Sequence, residues 1–405
     1  MTVTTTHPIT ENLSISNLNK KEVNNALSFL EKLDFPTRKT EDWKYTKVSK
    51  IVKKAYRQVT VPTNIETSKY IAKELNAISL FVVNGVYSPQ LSDKVELEGL
   101  SIAIIDEKNE YYNTLVDNEK QIFTAINTAY TFNGIYISVK KNTIINRPIH
   151  IINILTEDNV IALPRTLIVL EKSSQLEIVQ SFYAPNAKNT FSNVVNEIIV
   201  KENAHFILSK KQNEGKDSAI ITRDEVKQHT NSSIQINTIT KQQDFARNDT
   251  NVLVDGENCS TFLNGTYTPT NKEHVDNHTR VDHLQPNCMS SEIYKGVLKD
   301  NSTGIFNGKV IVHVNAQKIE AYQKNNNVLL SDNATMNAKP ELEIFADDVK
   351  CSHGTTTGQF DEEAIFYLQA RGISKVTAKE MLVEAFTDEV FNEIKNKAVV
   401  EYLKQ

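Results

Sequence analysis

Residues 149–182 read IHIINILTEDNVIALPRTLIVLEKSSQLEIVQSF, and this stretch decides the fold. It contains three short runs rich in Ile, Val and Leu, with polar corners between them. Runs of this length with many β-branched residues favour strands. Similar runs extend on both sides, from ISLFVVNGVY at 78–87 to LEIFADDV at 342–349. The sequence therefore predicts a mainly β core over residues 78–360.

The polar corners between these runs recur in one form. Leu170 leads through EKSSQ to Leu176, and Val200 leads through KENAH to Phe206. Later corners of this kind lie roughly 26 to 44 residues apart, which is typical of stacked coils that bury their apolar side chains against one another. The preferred architecture is a parallel β-helix. A β-sandwich is the alternative, although about 280 residues is long for a single sandwich.

Both flanks of the core carry helical patterns. Residues 1–77 are predicted to form a loose polar tail followed by a helical region, with Trp43 as an aromatic anchor on the core. Residues 361–405 are predicted to form a second helical region, in which Asp361 is the N-cap of one helix and Gly372 ends it. Thr377 and Glu380 fit a capping box for the next helix.

Composition narrows the class of protein. The formal net charge is −5 and the chain has no dense basic block, so neither nucleic acid nor a membrane is an expected partner. No apolar run is long enough for a membrane span, and the N-terminus lacks the pattern of a secretory signal. Three widely spaced cysteines argue against a disulfide framework. A cytoplasmic protein is expected.

Enzyme motifs are absent from the sequence. We find no P-loop, no GxGxxG after a strand, no GxSxG elbow and no HExxH. The chain is therefore expected not to be a free-standing enzyme.

Two polar clusters are candidate sites. The first contains His274, His278 and His283 with Cys288 just beyond, and it could bind a metal or a partner, or simply bond within solenoid turns. The second contains Cys351 and His353. In a strand these two side chains share a face, with Ser352 opposite, and both are suitable iron ligands. One Cys and one His cannot complete a site, so a structural role stays equally open.

Several long motifs resemble the SufB/SufD family of iron–sulfur cluster assembly proteins. They are RKTEDWKYT at 38–46, DNHTRVDH at 276–283 and KPELEIFADDVKCSHGTTTGQFDEEAIFYLQARGIS at 339–374. The resemblance runs from about Arg38 to Phe391, and within the family it is closer to SufD than to SufB. SufB-like chains typically have an acidic residue after the corresponding His, where this chain has Gly354.

The resemblance implies a right-handed parallel β-helix flanked by helical regions. It also implies a non-catalytic scaffold subunit in a complex of one SufB, one SufD and two SufC ATPases, with no cofactor tightly bound to the chain alone. His353, and more weakly Cys351, would face SufB as metal ligands for transient iron or a nascent cluster. The C-terminal helices would hold SufC, with Phe386 and Val390 as the expected partner-binding residues.

Other functions compete with this one. A purely structural subunit that supports SufB without ligating iron is the main alternative. A carbohydrate-active β-helix enzyme is a rival from another class, but such enzymes are commonly secreted. An exposed sheet edge would also let the isolated chain form a homodimer.

Overall fold

The computed structural model describes residues 7–61 and 65–405, and strands dominate it. The strands are β1 (Ile78–Val83), β2 (Val86–Ser88), β3 (Leu100–Ile104), β4 (Ile135–Val139), β5 (Ile149–Ile154), β6 (Ile161–Ala162), β7 (Arg165–Leu170), β8 (Gln175–Tyr183), β9 (Thr190–Val200), β10 (His205–Gln212), β11 (Gly215–Gln228), β12 (Ser233–Thr240), β13 (Gln243–Val254), β14 (Ser260–Tyr267), β15 (His274–His283), β16 (Met289–Leu298), β17 (Thr303–Val312), β18 (Ile319–Leu329), β19 (Thr335–Ile344) and β20 (Val349–Gly358). The α-helices are α1 (Lys20–Leu30), α2 (Ser49–Val52), α3 (Ile122–Tyr130), α4 (Glu362–Gln369), α5 (Lys375–Asn392) and α6 (Lys397–Lys404).

Two ten-stranded sheets form the core. The first sheet has the order β2-β1-β5-β8-β10-β12-β14-β16-β18-β20, and the second has the order β19-β17-β15-β13-β11-β9-β7-β4-β3 with β6 beside β9. From β7 onwards successive strands alternate between the sheets, and the pairing is parallel except for β1 with β2 and β3 with β4. The fold is a parallel β-helix of about eight turns, which confirms the predicted solenoid over the sandwich.

The number of residues per turn of the solenoid varies less than the sequence indicated. Side-chain bonds between neighbouring turns join residues 28 apart at Ser209 and Asn237, and 30 apart at Glu320 and Lys350. Register partners in neighbouring turns are 26 residues apart at Val226 and Val252 and 32 apart at Thr303 and Thr335, so the upper end of the predicted spacing of 26 to 44 residues was too long. It compared corners from different edges of the solenoid, whereas the pairing register fixes one nearly constant repeat.

A ladder of asparagines builds one corner of the solenoid. Asn203, Asn231, Asn258 and Asn287 all have φ between 55° and 60°. Each backbone N–H donates to a carbonyl of the next turn. The left-handed conformation disfavours most L-residues but is tolerated by Asn. This is the physical reason for the Asn-rich polar corners seen in the sequence.

The interior is mostly Ile, Val and Leu, yet it also contains ionised groups. Lys210 and Asp224 form an ion pair in which both side chains are fully buried, and Asn196 donates to the same carboxylate at 2.7 Å. Such a pair is tolerated only when its remaining polar atoms are hydrogen-bonded. The solenoid therefore carries polar side chains through its centre as well as around its corners.

The N-terminal segment packs against the solenoid from His7 onwards. Ile9 is fully buried among aromatic residues, so the predicted loose tail is wrong from His7 on; residues 1–6 lie outside the described part of the chain. The sequence also predicts a flexible stretch around Val59 to Thr67, broken by Pro62, and residues 62–64 lie outside the described part of the chain. Trp43 is the predicted anchor, with the Arg247 guanidinium 3.8 Å from its ring centroid.

Polar N-cap residues mark the starts of helices α4 and α5. The Asp361 side chain accepts from the Glu363 N–H, and Gly372 has φ +84°, as predicted for the start and end of α4. The predicted capping box at Thr377 is wrong, because Ser374 is the N-cap of α5 and accepts from the Thr377 N–H. The domain boundaries at 77 and 360 stay a prediction.

No helix in the described part of the chain is long and apolar enough to cross a membrane.

Candidate functional site

The predicted pair of ligands lies on β20, the last strand of the first sheet. Cys351 is in register with Ala321 of β18, and His353 is in register with Gln323. Ala321 and Gln323 are buried inside the solenoid, at 0% and 3% exposure. Cys351 and His353 therefore share the inward face, and Ser352 lies on the outward one, as the alternation of a strand requires.

His353 is exposed although it lies on the inward face. β20 pairs only with β18, and among the described residues no further turn covers it. The strand is exposed from Ser352 to Gly358. An inward side chain in this last turn therefore lies at the open end of the solenoid, next to an edge that offers unpaired backbone groups to another sheet.

A polar column continues from His353 into the solenoid. Glu292 of β16 is in register with Gln323, which is in register with His353. Gln323 Nε2 donates to Glu292 Oε1 at 3.4 Å, and Thr279 Oγ1 donates to Glu292 Oε2 at 2.6 Å. Gln323 Oε1 is buried and has no partner among the described residues. Gln323 Oε1 is thus a free hydrogen-bond acceptor, among the described residues, in the turn next to His353.

Burial changes the acidity of two groups near the open end. It raises the pKa of Glu292 to about 7, although the hydrogen bonds that Thr279 and Gln323 donate to the carboxylate lower this pKa. It also raises the pKa of the half-buried Cys351 thiol, which packs against the apolar core. Cys351 is therefore a thiol rather than a thiolate at neutral pH, and it needs a metal or a nearby cation to ionise.

The pair does not form a complete metal site by itself. Within residues 7–61 and 65–405, no group of three or more His, Cys, Asp or Glu side chains is placed to hold a metal ion. An iron ion or cluster needs several thiolate, imidazole or carboxylate ligands. His353 and Cys351 therefore do not make a complete set of metal ligands by themselves.

The other polar cluster is divided between the two faces of β15. His274 Nε2 lies 3.0 Å from Thr46 Oγ1, and His278 Nε2 lies 2.9 Å from Asp276 Oδ1, both on the outer face of β15. His283 points inward, fully buried, and bonds to Ser290 Oγ at 3.0 Å. These histidines bond within and between the turns and to the N-terminal segment.

Cys288 lies apart from these histidines. It is buried at a corner beside Cys259, where its thiol donates to the Gly256 carbonyl at 3.1 Å. The metal interpretation of the first cluster is not supported by this placement.

The expected partner-binding residues differ from each other in exposure. Val390 is fully buried, in a cluster with Val179 and Ile239 of the solenoid, so its assignment as a contact residue needs correction. Val390 therefore packs α5 against the solenoid of the same chain. Phe386 is half-buried, with Lys295 Nζ 4.3 Å from its ring centroid.

The apolar surface that these helices present lies elsewhere, on residues that the sequence reasoning missed. Four side chains of α4 and α5 are exposed by 43% to 72%: Phe366, Tyr367, Val376 and Met381. Helical spacing alone did not separate them from Val390, because α5 has apolar residues on several faces. Exposed large apolar side chains on neighbouring helices are typical of a protein contact.

Comparison with known proteins gives two family matches that together span nearly the whole chain. Residues 153–386 match the model for the SUF system FeS cluster assembly, SufBD core domain, and residues 5–151 match the SufBD protein N-terminal region.

Individual relatives agree with these matches. The chain is 27% identical to the iron–sulfur cluster assembly protein SufD of Escherichia coli, over 92% of this chain and 88% of that protein. It is 27% identical to an iron–sulfur cluster assembly SufBD family protein of Synechocystis, over 93% and 87%. The SufD of Bacillus subtilis is 26% identical over 71% and 66%.

Proposed function

This chain belongs to the SufBD family of iron–sulfur cluster assembly proteins, and we propose that it is a non-catalytic scaffold subunit of a cytoplasmic Suf complex. In this role it pairs with a SufB chain and binds the ATPase SufC, in a complex of one SufB, one SufD-like chain and two SufC. It contributes His353 to iron entry or nascent cluster assembly between the two β-helices.

The open edge at β20 carries this proposal. In a parallel β-helix each strand pairs with the equivalent strands of the turns before and after it, so the last strand offers unpaired N–H and C=O groups. The last turn here is uncovered among the described residues, and its inward face presents His353 and Thr355 to whatever stacks on it. A second β-helix that extends both sheets would bury these side chains at the junction.

His353 is well placed to share a ligand set across that junction. Its side chain belongs to the inward column, so a stacked turn of SufB would bring its own inward residues next to it. An imidazole and a neighbouring thiol are suitable ligands for iron. Cys351 is the weaker contributor, because burial raises the pKa of its thiol.

The C-terminal helices supply a surface for SufC. Phe366 and Tyr367 on α4 and Val376 on α5 are exposed and available to a partner, whereas Val390 and Phe391 hold α5 on the solenoid. Partner docking is therefore expected on α4 and the first half of α5.

Helix α5 also connects this surface to the site. Glu389 of α5 binds Lys295 of β16, and its other oxygen binds Lys324 of β18 at 2.6 Å. β18 is the strand that pairs with β20. Closure of two SufC subunits on ATP binding would pull on α5, and these ion pairs would transmit the displacement to the junction between the β-helices.

The test is anaerobic co-purification of this chain with SufB and SufC counterparts, with iron, sulfide and visible absorbance measured on the complex. His353→Ala is expected to leave the complex intact and to abolish or strongly reduce its cluster content. Ser352→Ala is the matched control, because Ser352 is an exposed neighbour on the outward face of the same strand. Equal cluster content in wild type and His353→Ala would contradict the role of His353.

One observation favours the purely structural alternative. The described residues hold no complete group of metal ligands, so the chain can support SufB without touching iron. Under that alternative, His353→Ala keeps full cluster content and only disruption of the β20 edge reduces it.

A further inference from the structure

A large cavity lies between the N-terminal segment and the outer face of the second sheet, and its lining does not include the inward column of His353. Its volume is about 770 Å³. Five successive turns contribute one floor residue each, in register: Ala219, Phe245, His274, Thr303 and Thr335. Since neighbouring strands are about 4.8 Å apart, this floor is about 19 Å long.

The cavity is strongly basic although the chain as a whole is acidic. Two carboxylates line it, those of Asp217 and Asp244, against six cations: Arg38, Lys44, Lys47, Lys50, Lys54 and Lys272. None of these cations has a carboxylate oxygen within 4.0 Å in the described part of the chain. The chain's net charge is −5, so this surplus is local. Cations gathered without counter-charges repel one another, and a bound polyanion would relieve that repulsion.

A pair of aromatic rings, whose faces lie against each other, forms part of the floor. The rings of Phe245 and His274 are stacked, with centroids 5.4 Å apart and an angle of 3° between their planes. His274 Nε2 is fixed by Thr46 Oγ1 at 3.0 Å, and burial lowers the pKa of His274, so its ring is neutral at pH 7. Tyr45 stands exposed on the wall above. Neutral flat rings of this kind stack on heteroaromatic ligands.

We infer that this cavity binds a nucleoside phosphate, with the base stacked on an outer face of the Phe245–His274 pair and the phosphates on the lysines of the N-terminal segment. Lysine ammonium groups bind phosphate oxygens as point charges. The volume lies within the range of small-molecule and cofactor sites. A merely solvated basic face would not combine this concavity with a neutral aromatic floor. The inference goes beyond the proposed scaffold function and does not depend on it.

The test is calorimetric titration of the purified full-length chain with ADP and, separately, with inorganic pyrophosphate, in the absence of divalent ions. ADP is expected to bind at one site, about tenfold more tightly than pyrophosphate, because only ADP stacks on the aromatic floor. Raising the salt concentration from about 50 to about 200 mM is expected to weaken both ligands by a similar factor, since both depend on the lysines.

Two variants separate the two halves of the site. Lys47→Gln with Lys50→Gln is expected to weaken ADP and pyrophosphate alike, by about tenfold. Phe245→Leu keeps an apolar side chain against the neighbouring cluster and is expected to reduce the affinity for ADP to that for pyrophosphate. The matched control is Lys140→Gln with Lys141→Gln, which removes the same charge from an exposed corner outside the cavity. Circular dichroism checks that each variant is folded.

Three results would overturn the inference. The first is no saturable ADP binding at low salt. The second is equal loss of ADP affinity in the cavity double variant and in the control double variant. The third is displacement of ADP by hexaglutamate as effectively as by pyrophosphate, which would assign the cavity to an acidic protein segment instead.

Discussion

Glu292, Gln323 and His353 occupy equivalent inward positions in three successive turns, yet their surroundings differ completely. Glu292 and Gln323 are covered by neighbouring turns and are 1% and 3% exposed, whereas His353 is exposed. Position along the solenoid axis, rather than residue type or face, therefore decides which inward polar group can meet a partner.

Glu292 gives a prediction about pH and stability. Burial raises its pKa in the folded state from 4.5 to about 7, so the folded state holds this proton more tightly than the unfolded state. The protonated Glu292 side chain therefore favours the folded state. This contribution to the free energy of unfolding is fully present below pH 4.5 and is lost as the pH rises towards 7. Glu292→Gln removes this titration. Relative to wild type, its free energy of unfolding is expected to rise by up to about 3 kcal/mol between pH 4 and pH 8.

Denaturant unfolding at both pH values measures this difference. Glu214→Gln should behave in the same way, because burial also raises the pKa of Glu214 to about 7. Exposed Glu96→Gln is the control. A difference between Glu292→Gln and wild type that stays constant with pH would show that Glu292 is not held in the low-polarity interior described here.

At the scale of elements, the residues at the ends of helices and strands predicted some of the boundaries correctly and not others. The short β-branched runs became strands because each lies in a buried or half-buried sheet, and Asp361 and Gly372 bound α4 through their own backbone chemistry. Thr377 was misread because Ser374, three residues earlier, caps the same helix. Two cap-forming residues only three positions apart cannot be ranked without knowing where the chain turns.

The same limit applied to the helical part of the candidate site. Val390 and Phe366 are both apolar, and sequence spacing does not say which helix face meets the solenoid. Packing decides it: Val390 is fully buried and Phe366 is 72% exposed. The prediction of a partner surface in this region could therefore name the segment but not its contact residues.

This difference makes a prediction about SufC binding. Phe366→Asp is expected to reduce co-purification with SufC at least tenfold, because a charge would be buried at the contact, while the melting temperature of the isolated chain stays unchanged. Val390→Asp is expected instead to lower the melting temperature, since it puts a carboxylate in the core. Ile15→Asp, at an exposed position on the N-terminal segment, is the control for adding charge. Unchanged SufC binding by Phe366→Asp would remove α4 from the contact.

At the scale of the whole molecule, the two ends of the β-helix are not equivalent. At the N-terminal end of the β-helix, β2 and β3 cover the first turn by pairing antiparallel with β1 and β4. At the C-terminal end, β19 and β20 are edge strands that no further strand of the described chain covers. The sequence predicted a solenoid and a candidate pair on its last segment. It could not show that the pair faces inward at an uncovered end, because that depends on the register of all preceding turns.

The open end predicts how the chain associates. Thr355 lies on the inward face of β20 and Thr356 on the outward face. A turn stacked on β20 would bury a charge at position 355 but leave one at position 356 in solvent. Thr355→Lys is therefore expected to weaken pairing with SufB, or self-association of the isolated chain, by at least about 3 kcal/mol, and Thr356→Lys by much less.

Sedimentation of the isolated chain and of its mixture with SufB measures this association. Equal effects of the two lysine substitutions would mean that the partner does not extend the sheets of the β-helix. Loss of pairing by Thr356→Lys alone would place the contact on the outer face.

The most direct test of the central claim is pulsed electron paramagnetic resonance on the reduced complex with SufB and SufC, in which only this chain carries ¹⁵N-labelled histidine. The account predicts a ¹⁵N hyperfine coupling from the cluster that is lost when His353 is replaced by Ala. A paramagnetic cluster without such a coupling in the wild-type complex would contradict it, and would leave this chain as a structural subunit.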